Sequence, residues 1–135
     1  MAGNENIRNI GFEDRITAVQ ALAPQAIADA TPVLSAAIDT RLYPRCRILL
    51  VAENKETTPT AYTIGFDISE CATSGGSYDA GTTSGTITGL SADGTLVASY
   101  KRNPAKPYIK VTATGSNADV DVICAASLLF IEPGT

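Results

Sequence analysis

Residues 60–70 read Thr-Ala-Tyr-Thr-Ile-Gly-Phe-Asp-Ile-Ser-Glu, with Tyr62, Ile64, Phe66 and Ile68 alternating with Thr63, Gly65, Asp67 and Ser69. Successive side chains of a strand point to opposite faces, so a period of two puts four large apolar groups on one side and small or polar groups on the other. That pattern describes a half-buried strand of an antiparallel sheet.

The same reading extends upstream. Residues 45–52 place Cys46, Ile48, Leu50 and Ala52 on one face and Arg45, Arg47, Leu49 and Val51 on the other. Both faces are partly apolar, which marks a central strand or one whose second face meets another subunit. Residues 53–59 form a polar loop leading to the 60–70 strand. Thr31 and Pro32 open a further strand over residues 33–40. Residues 15–30 read best as two extended pieces joined at Pro24. The alternative is a helix over 15–23, since Ile16, Val19, Leu22 and Ala23 also fit a helical stripe that Pro24 would end. Residues 1–14 scatter Ile7, Ile10 and Phe12 among Asn, Gly, Glu and Arg without a sustained period. They read as an extended N-terminal arm, either frayed or docked on something else.

Downstream, residues 72–85 are rich in Gly, Ser and Thr and hold little that is apolar beyond Tyr78, so they form a long surface loop. Residues 86–90 and 95–100 flank Ser91-Ala92-Asp93-Gly94, the turn chemistry of a hairpin. After a basic connector, Ile109, Val111 and Ala113 oppose Lys110, Thr112 and Thr114, and a short connection over 115–119 leads into the last strand, residues 120–131. One face of it carries Val120, Val122, Cys124, Ala126, Leu128 and Phe130; the other becomes apolar toward Leu129 and Ile131. That makes it central, or covered by a partner. The expected fold is all-β: an antiparallel β-sandwich of about seven to nine strands over residues 15–135, preceded by the extended arm over residues 1–14.

The 135 residues are 44% apolar, enough for one core, and only 18% charged. A net charge of −4 argues against a nucleic-acid partner. The longest apolar run, near residues 122–131, is about half the length of a membrane-spanning helix, so no membrane contact is expected. Asn4, Glu5 and Asn6 stand where a signal peptide would need an apolar core, which points to synthesis in the cytoplasm.

The chain has no histidine, which removes Ser-His-Asp and Cys-His nucleophile systems together with the commonest metal ligand. There is no Ser-x-x-Lys, no nucleophile elbow and no phosphate-binding Gly-Lys-Ser/Thr. Asp119 with Asp121, and Asp67 with Glu70, are the conceivable carboxylate pairs; the first flanks a turn, where Asp serves local hydrogen bonding. No catalytic residue, cofactor or metal site is expected, and the chain does not read as an enzyme. Arg41, Arg45 and Arg47, with Lys101, Arg102, Lys106 and Lys110, are the basic concentrations and read as solvated strand faces or complements to an acidic protein partner. Of three cysteines, Cys46 and Cys124 read as buried small hydrophobes. Cys71 ends the 60–70 strand before the Gly/Ser loop and is a candidate exposed thiol for linking a neighbouring subunit.

The passage from Ala37-Ile38-Asp39-Thr40-Arg41 through Arg47-Ile48-Leu49-Leu50-Val51, the Thr57-Thr58-Pro59-Thr60 loop and the alternating strand after it resemble small head proteins of tailed bacteriophages. So does the close, Tyr108-Ile109-Lys110-Val111-Thr112-Ala113-Thr114 followed by a short turn and an apolar strand. The resemblance runs over residues 16–133 and is to capsid decoration, or cement, proteins. It implies a non-enzymatic β-sandwich, often a homotrimer, that sits on the outer capsid surface of the virion and takes the major capsid protein as partner. A protein that binds only the assembled shell stabilises it by mass action, and repeated weak contacts add through multivalency. On that reading Ile7, Ile10 and Phe12 of the arm, and Leu49, Val51, Leu129 and Ile131 on the two-sided strands, are candidate capsid or subunit contacts. A head-fibre base or tail accessory protein is the nearest alternative, and a carbohydrate-binding module a more distant one, since the chain has no Trp.

Overall fold

A computed structural model describes residues 15–27, 31–56, 63–80, 87–90, 94–116 and 122–132. In chain order the strands are β1 (Ile16–Ile27), β2 (Val33–Leu34), β3 (Ile38–Asp39), β4 (Arg47–Glu56), β5 (Thr63–Cys71), β6 (Asp79–Ala80), β7 (Ile87–Leu90), β8 (Gly94–Tyr100), β9 (Tyr108–Ser116) and β10 (Val122–Ile131), with a 3-10 turn over Thr40–Leu42. Every pairing is antiparallel. One sheet runs β1-β10-β4-β8, and the other runs β2-β9-β5-β6 with β3 also on β9 and β7 also on β5. This is the expected antiparallel β-sandwich; among the described residues seven strands have four or more residues.

The alternation that defines β5 closes the core from one side. Ile64, Phe66 and Ile68 are buried and lie beside Ala113 and Val111 of β9. From the first sheet Ile48, Leu50 and Ala52 of β4 and Cys124, Ala126, Leu128 and Phe130 of β10 meet them in one apolar cluster. Phe130 stacks on Tyr43, ring centroids 3.9 Å apart and planes 18° from parallel.

Four local expectations change. Residues 16–27 form one strand rather than two pieces, and not a helix; β1 is a sheet edge, where Pro24 is tolerated at the cost of register shifts between Gln20 and Leu22 and between Leu22 and Gln25. The strand expected over residues 33–40 breaks into β2 and β3, because Ser35 takes over the ladder with its side chain: its Oγ accepts the Val111 N–H at 2.9 Å while its own N–H donates to the Val111 carbonyl at 2.8 Å. The strand expected to end at Ala52 runs on to Glu56, opposite Val122. Finally, β7 and β8 are not a hairpin. β7 pairs with β5 in one sheet and β8 with β4 in the other, so the chain changes sheet between Leu90 and Gly94; Asp93 itself lies outside the described residues. An Asp-Gly step specifies a sharp change of direction but not which strand lies beside it, and Leu96, Ala98 and Tyr100 are needed to complete the inner face of the first sheet.

Candidate functional site

The two outer faces of the sandwich differ in chemistry. On β5 and β9 the outward residues are Gly65, Asp67, Ser69, Lys110, Thr112 and Thr114, a polar face. On the first sheet the outward positions form apolar rows. Ala18, Leu129 and Leu49 are side by side across β1, β10 and β4; Ser127, Val51 and Val97 are side by side across β10, β4 and β8; Ile16 and Ile131 lie at one end. Leu49, Val51, Leu129 and Ile131 are half-buried with no second layer over them among the described residues, while Val97 is 60% exposed and Ile123 42%. The structure thus brings four of the expected contact residues onto one patch. It adds Val97, which the sequence did not single out because its same-face neighbours Thr95 and Ser99 are polar; Ile123 lies further along β10, beyond the row of Ala125 and Glu53. Ile7, Ile10 and Phe12 lie outside the described residues.

Where the β1 bulge opens the sheet, a depression of about 240 Å³ is lined by Pro24, Glu53, Asn54, Ile123, Cys124 and Ala125. It offers one carboxylate and no aromatic ring, a poor platform for a sugar.

One end of the sandwich is held by a polar network. Glu70, next inward on β5 after Ile68, is buried; its Oε2 accepts the Tyr100 hydroxyl at 2.5 Å and its Oε1 accepts the Asn103 side-chain N–H at 3.4 Å. This joins β5 of one sheet to β8 of the other. Arg102 donates to the carbonyls of Thr40, Tyr43 and Cys46, closing the segment that contains Arg45, a non-glycine residue with φ of 64°. Arg102 is therefore half-buried and structural, not part of a solvated basic face.

Arg41, Lys106 and Lys110 are also engaged. Arg41 donates to both carboxylate oxygens of Asp39 at 3.0 Å and to the Tyr108 hydroxyl at 2.8 Å, with its guanidinium over the Tyr108 ring. The Arg41 hydrogen bonds hold the Asp39 carboxyl below its usual range. Lys106 pairs with Asp79 at 2.7 Å, and Lys110 sits over the Tyr78 ring. Asp67 and Glu70 point to opposite faces, which dissolves that carboxylate pair; Asp119 and Asp121 lie outside the described residues.

Cys71 is corrected most directly. It is 7% exposed, because the turn over residues 72–77 folds across its sulfur. A Cβ on Gly76 would lie 2.6 Å from Cys71 Sγ and from Thr73 Oγ1, so a larger residue there would force one of these side chains or the turn to shift. A cross-link through Cys71 would require that turn to open. Cys124 is buried as expected, and burial pushes its thiol up to about 11; Cys46 is half-buried against the core.

Burial first, then the hydrogen bond to Glu70 and its charge, holds the Tyr100 hydroxyl well above the ordinary tyrosine value, with Arg102 opposing. A raised native value means that the native state keeps its proton longer than the unfolded chain does. The resulting stability is intact below about pH 10, the unfolded tyrosine value, and is lost as pH rises beyond it. Tyr100→Phe leaves a buried acceptor on Glu70 unsatisfied, so urea unfolding at pH 7 should show a loss of about 1–3 kcal/mol. The same variant should lose less stability than the parent between pH 9 and 11. An equal decline in both proteins would show that other groups govern the alkaline limb.

No family model matches the chain, and no curated protein matches it. Solved structures share the fold. A chain of infectious bursal disease virus, Gx strain, is 18% identical with a TM-score of 0.55 over 90% of this chain and 34% of its own. A Clostridium thermocellum endo-1,4-beta-D-xylanase 10B chain containing CBM22-1 and GH10 modules, complexed with xylohexaose, is 13% identical with a TM-score of 0.51 over 90% of this chain and 27% of its own. The SPBc2 prophage-derived protein YomS is 6% identical with a TM-score of 0.51 over 87% of this chain and 93% of its own. This chain therefore spans about a third or less of the first two. At these identities the likeness establishes the antiparallel β-sandwich, a fold found in viral, prophage-derived and xylanase chains alike.

Proposed function

We propose that this protein is a structural part of a phage virion: a decoration protein, working as a homotrimer, that binds the outer surface of the assembled capsid and stabilises it. The observation that carries the reading is the asymmetry of the sandwich. A sheet whose outer face carries Leu49, Val51, Val97, Leu129 and Ile131 leaves a contiguous apolar surface in water, whereas the outward residues of β5 and β9 are polar and the opposite face has Leu34, beside Thr112, as its exposed large aliphatic side chain among the described residues. Patches of that kind mark protein contact sites. The shared fold with virus and prophage-derived chains supports the reading, and the major capsid protein is the partner it implies.

Its mechanism is linkage. A protein that binds the expanded shell and not its dispersed subunits shifts the balance toward the shell, and many copies on a symmetric lattice add their contributions. The test is to incubate the purified protein with expanded capsids that lack it and to image them. Added density at symmetry-related outer positions, with capsids surviving higher temperature, is the expected result. Unaltered capsids would overturn the reading.

The likeness to the xylanase chain favours a second reading, binding of a β-linked polysaccharide. Against it, Tyr78 and Tyr108 each have a cation over the ring. Specific retention on insoluble xylan, with no capsid binding, would establish it in place of the first.

A further inference from the structure

Strand β8 has β4 on one side and no described strand on the other. Its sequence, Gly-Thr-Leu-Val-Ala-Ser-Tyr, contains no charge and no proline, and it pairs with β4 over seven residues without a bulge. The remaining long edge, β1, is broken by Pro24 and two register shifts, and the edges of the second sheet are short pieces of two to four residues. Sheet edges are normally blunted by charge, proline, bulges or shortness, because an open row of main-chain donors and acceptors recruits another strand. Three of the four edges obey that rule and β8 does not. Its outward Val97, 60% exposed, also leaves the apolar outer face unfinished at that side.

We infer that the free edge of β8 receives the N-terminal arm of a neighbouring copy as an added strand, with Ile10 and Phe12 beside Val97. The arm supplies the right chemistry: Ile10 and Phe12 are two residues apart and fall on one face of a strand, and the segment 7–12 has no proline.

Geometry decides between the chain's own arm and another's. Thr17, Phe130, Ile48 and Tyr100 form one row across the sheet, so the arm enters β1 at the sheet edge opposite β8. A strand added outside β8 lies four inter-strand spacings from β1, about 19 Å. From Phe12 to Arg15 are three residue steps, which reach about 11 Å at most, and from Ile10 five steps reach about 18 Å. A chain cannot lay Ile10 and Phe12 on its own β8, but it can on a neighbour's. Such a contact is heterologous, arm to edge, and closes into a ring when the rotation between copies allows it. The inference deepens the homotrimer part of the reading above and does not depend on the shell.

The experiment pairs Ile10→Cys in turn with Thr95→Cys, Val97→Cys and Ser99→Cys in the full chain, oxidises the protein without capsids, and resolves it on a non-reducing denaturing gel. At least one pair should give dimer and trimer bands that the parent, with its three native cysteines, and the variants carrying only one added cysteine lack. In parallel, Ile10→Asp/Phe12→Asp should convert the solution oligomer to monomer by light scattering while leaving the thermal midpoint of the diluted protein unchanged. Cross-linked monomer alone, no cross-link from any pair, or an unaltered oligomer in the arm variant would each overturn the inference. Capsid imaging tests the shell reading separately, so failure of one is distinguishable from failure of the other.

Discussion

Phe130→Ala should lower the unfolding free energy by about 3–5 kcal/mol, the usual cost of deleting a large buried side chain whose cavity the surroundings fill only partly. Phe130 is 1% exposed on the central strand β10, sits between β1 and β4 at the row that ends in Tyr100, and carries the stacked ring of Tyr43. Against a total of about 5–15 kcal/mol for a domain, that is a large share. The thermal midpoint should fall by roughly 10–20 °C. Phe130→Leu, which retains most of the volume, should cost about 1.5 kcal/mol or less. Calorimetry on both variants checks the argument. If alanine proves no worse than leucine, Tyr43 has collapsed into the space and the stacked pair does not hold that end of the core.

The largest effect on binding is expected from Leu49→Glu/Leu129→Glu. These residues are directly opposed in the β4–β10 ladder, at the middle of the apolar outer face. Two carboxylates placed there would be desolvated and mutually repelled in any complex that covers the face. A loss of at least about 3 kcal/mol, on the order of a hundredfold in Kd for expanded capsids, follows from the usual weight of central interface residues. Both side chains point away from the core, so the far-ultraviolet spectrum should stay that of the parent and the thermal midpoint should move far less than in Phe130→Ala. Sedimentation of capsids with bound protein reads the first quantity directly. Binding within threefold of the parent would remove this face from the contact.

How these two positions became visible differs in kind. Phe130 and Phe66 are legible as core because each sits in a run of alternating apolar residues long enough to fix its face. Leu49, Val51, Leu129 and Ile131 were legible as a second apolar face, but the sequence does not show that β4 and β10 are neighbours, and so that the four residues form one patch. Val97 joins that patch only because β8 leaves β7 and pairs with β4. Glu70 illustrates the opposite case: in sequence it stands only as a conceivable partner of Asp67, yet parity with Ile68 turns it inward, where Tyr100 and Asn103 satisfy it.

What the amino-acid sequence determined alone is whatever local sterics and periodicity control: strands rather than helices, which face of each strand is apolar, the absence of histidine chemistry, and a net negative surface. The tertiary structure decided which strands are neighbours, and with that the assembly of half-buried side chains into one exposed patch, the edge that β8 leaves without a second neighbour among the described residues, the burial of Cys71 under its turn, and the Glu70 to Tyr100 tie between sheets. The division is physical. Alternation is a property of a single strand's backbone, whereas pairing across a sandwich is settled by the collective burial of residues far apart in the chain, for which a two-residue turn signal carries no information.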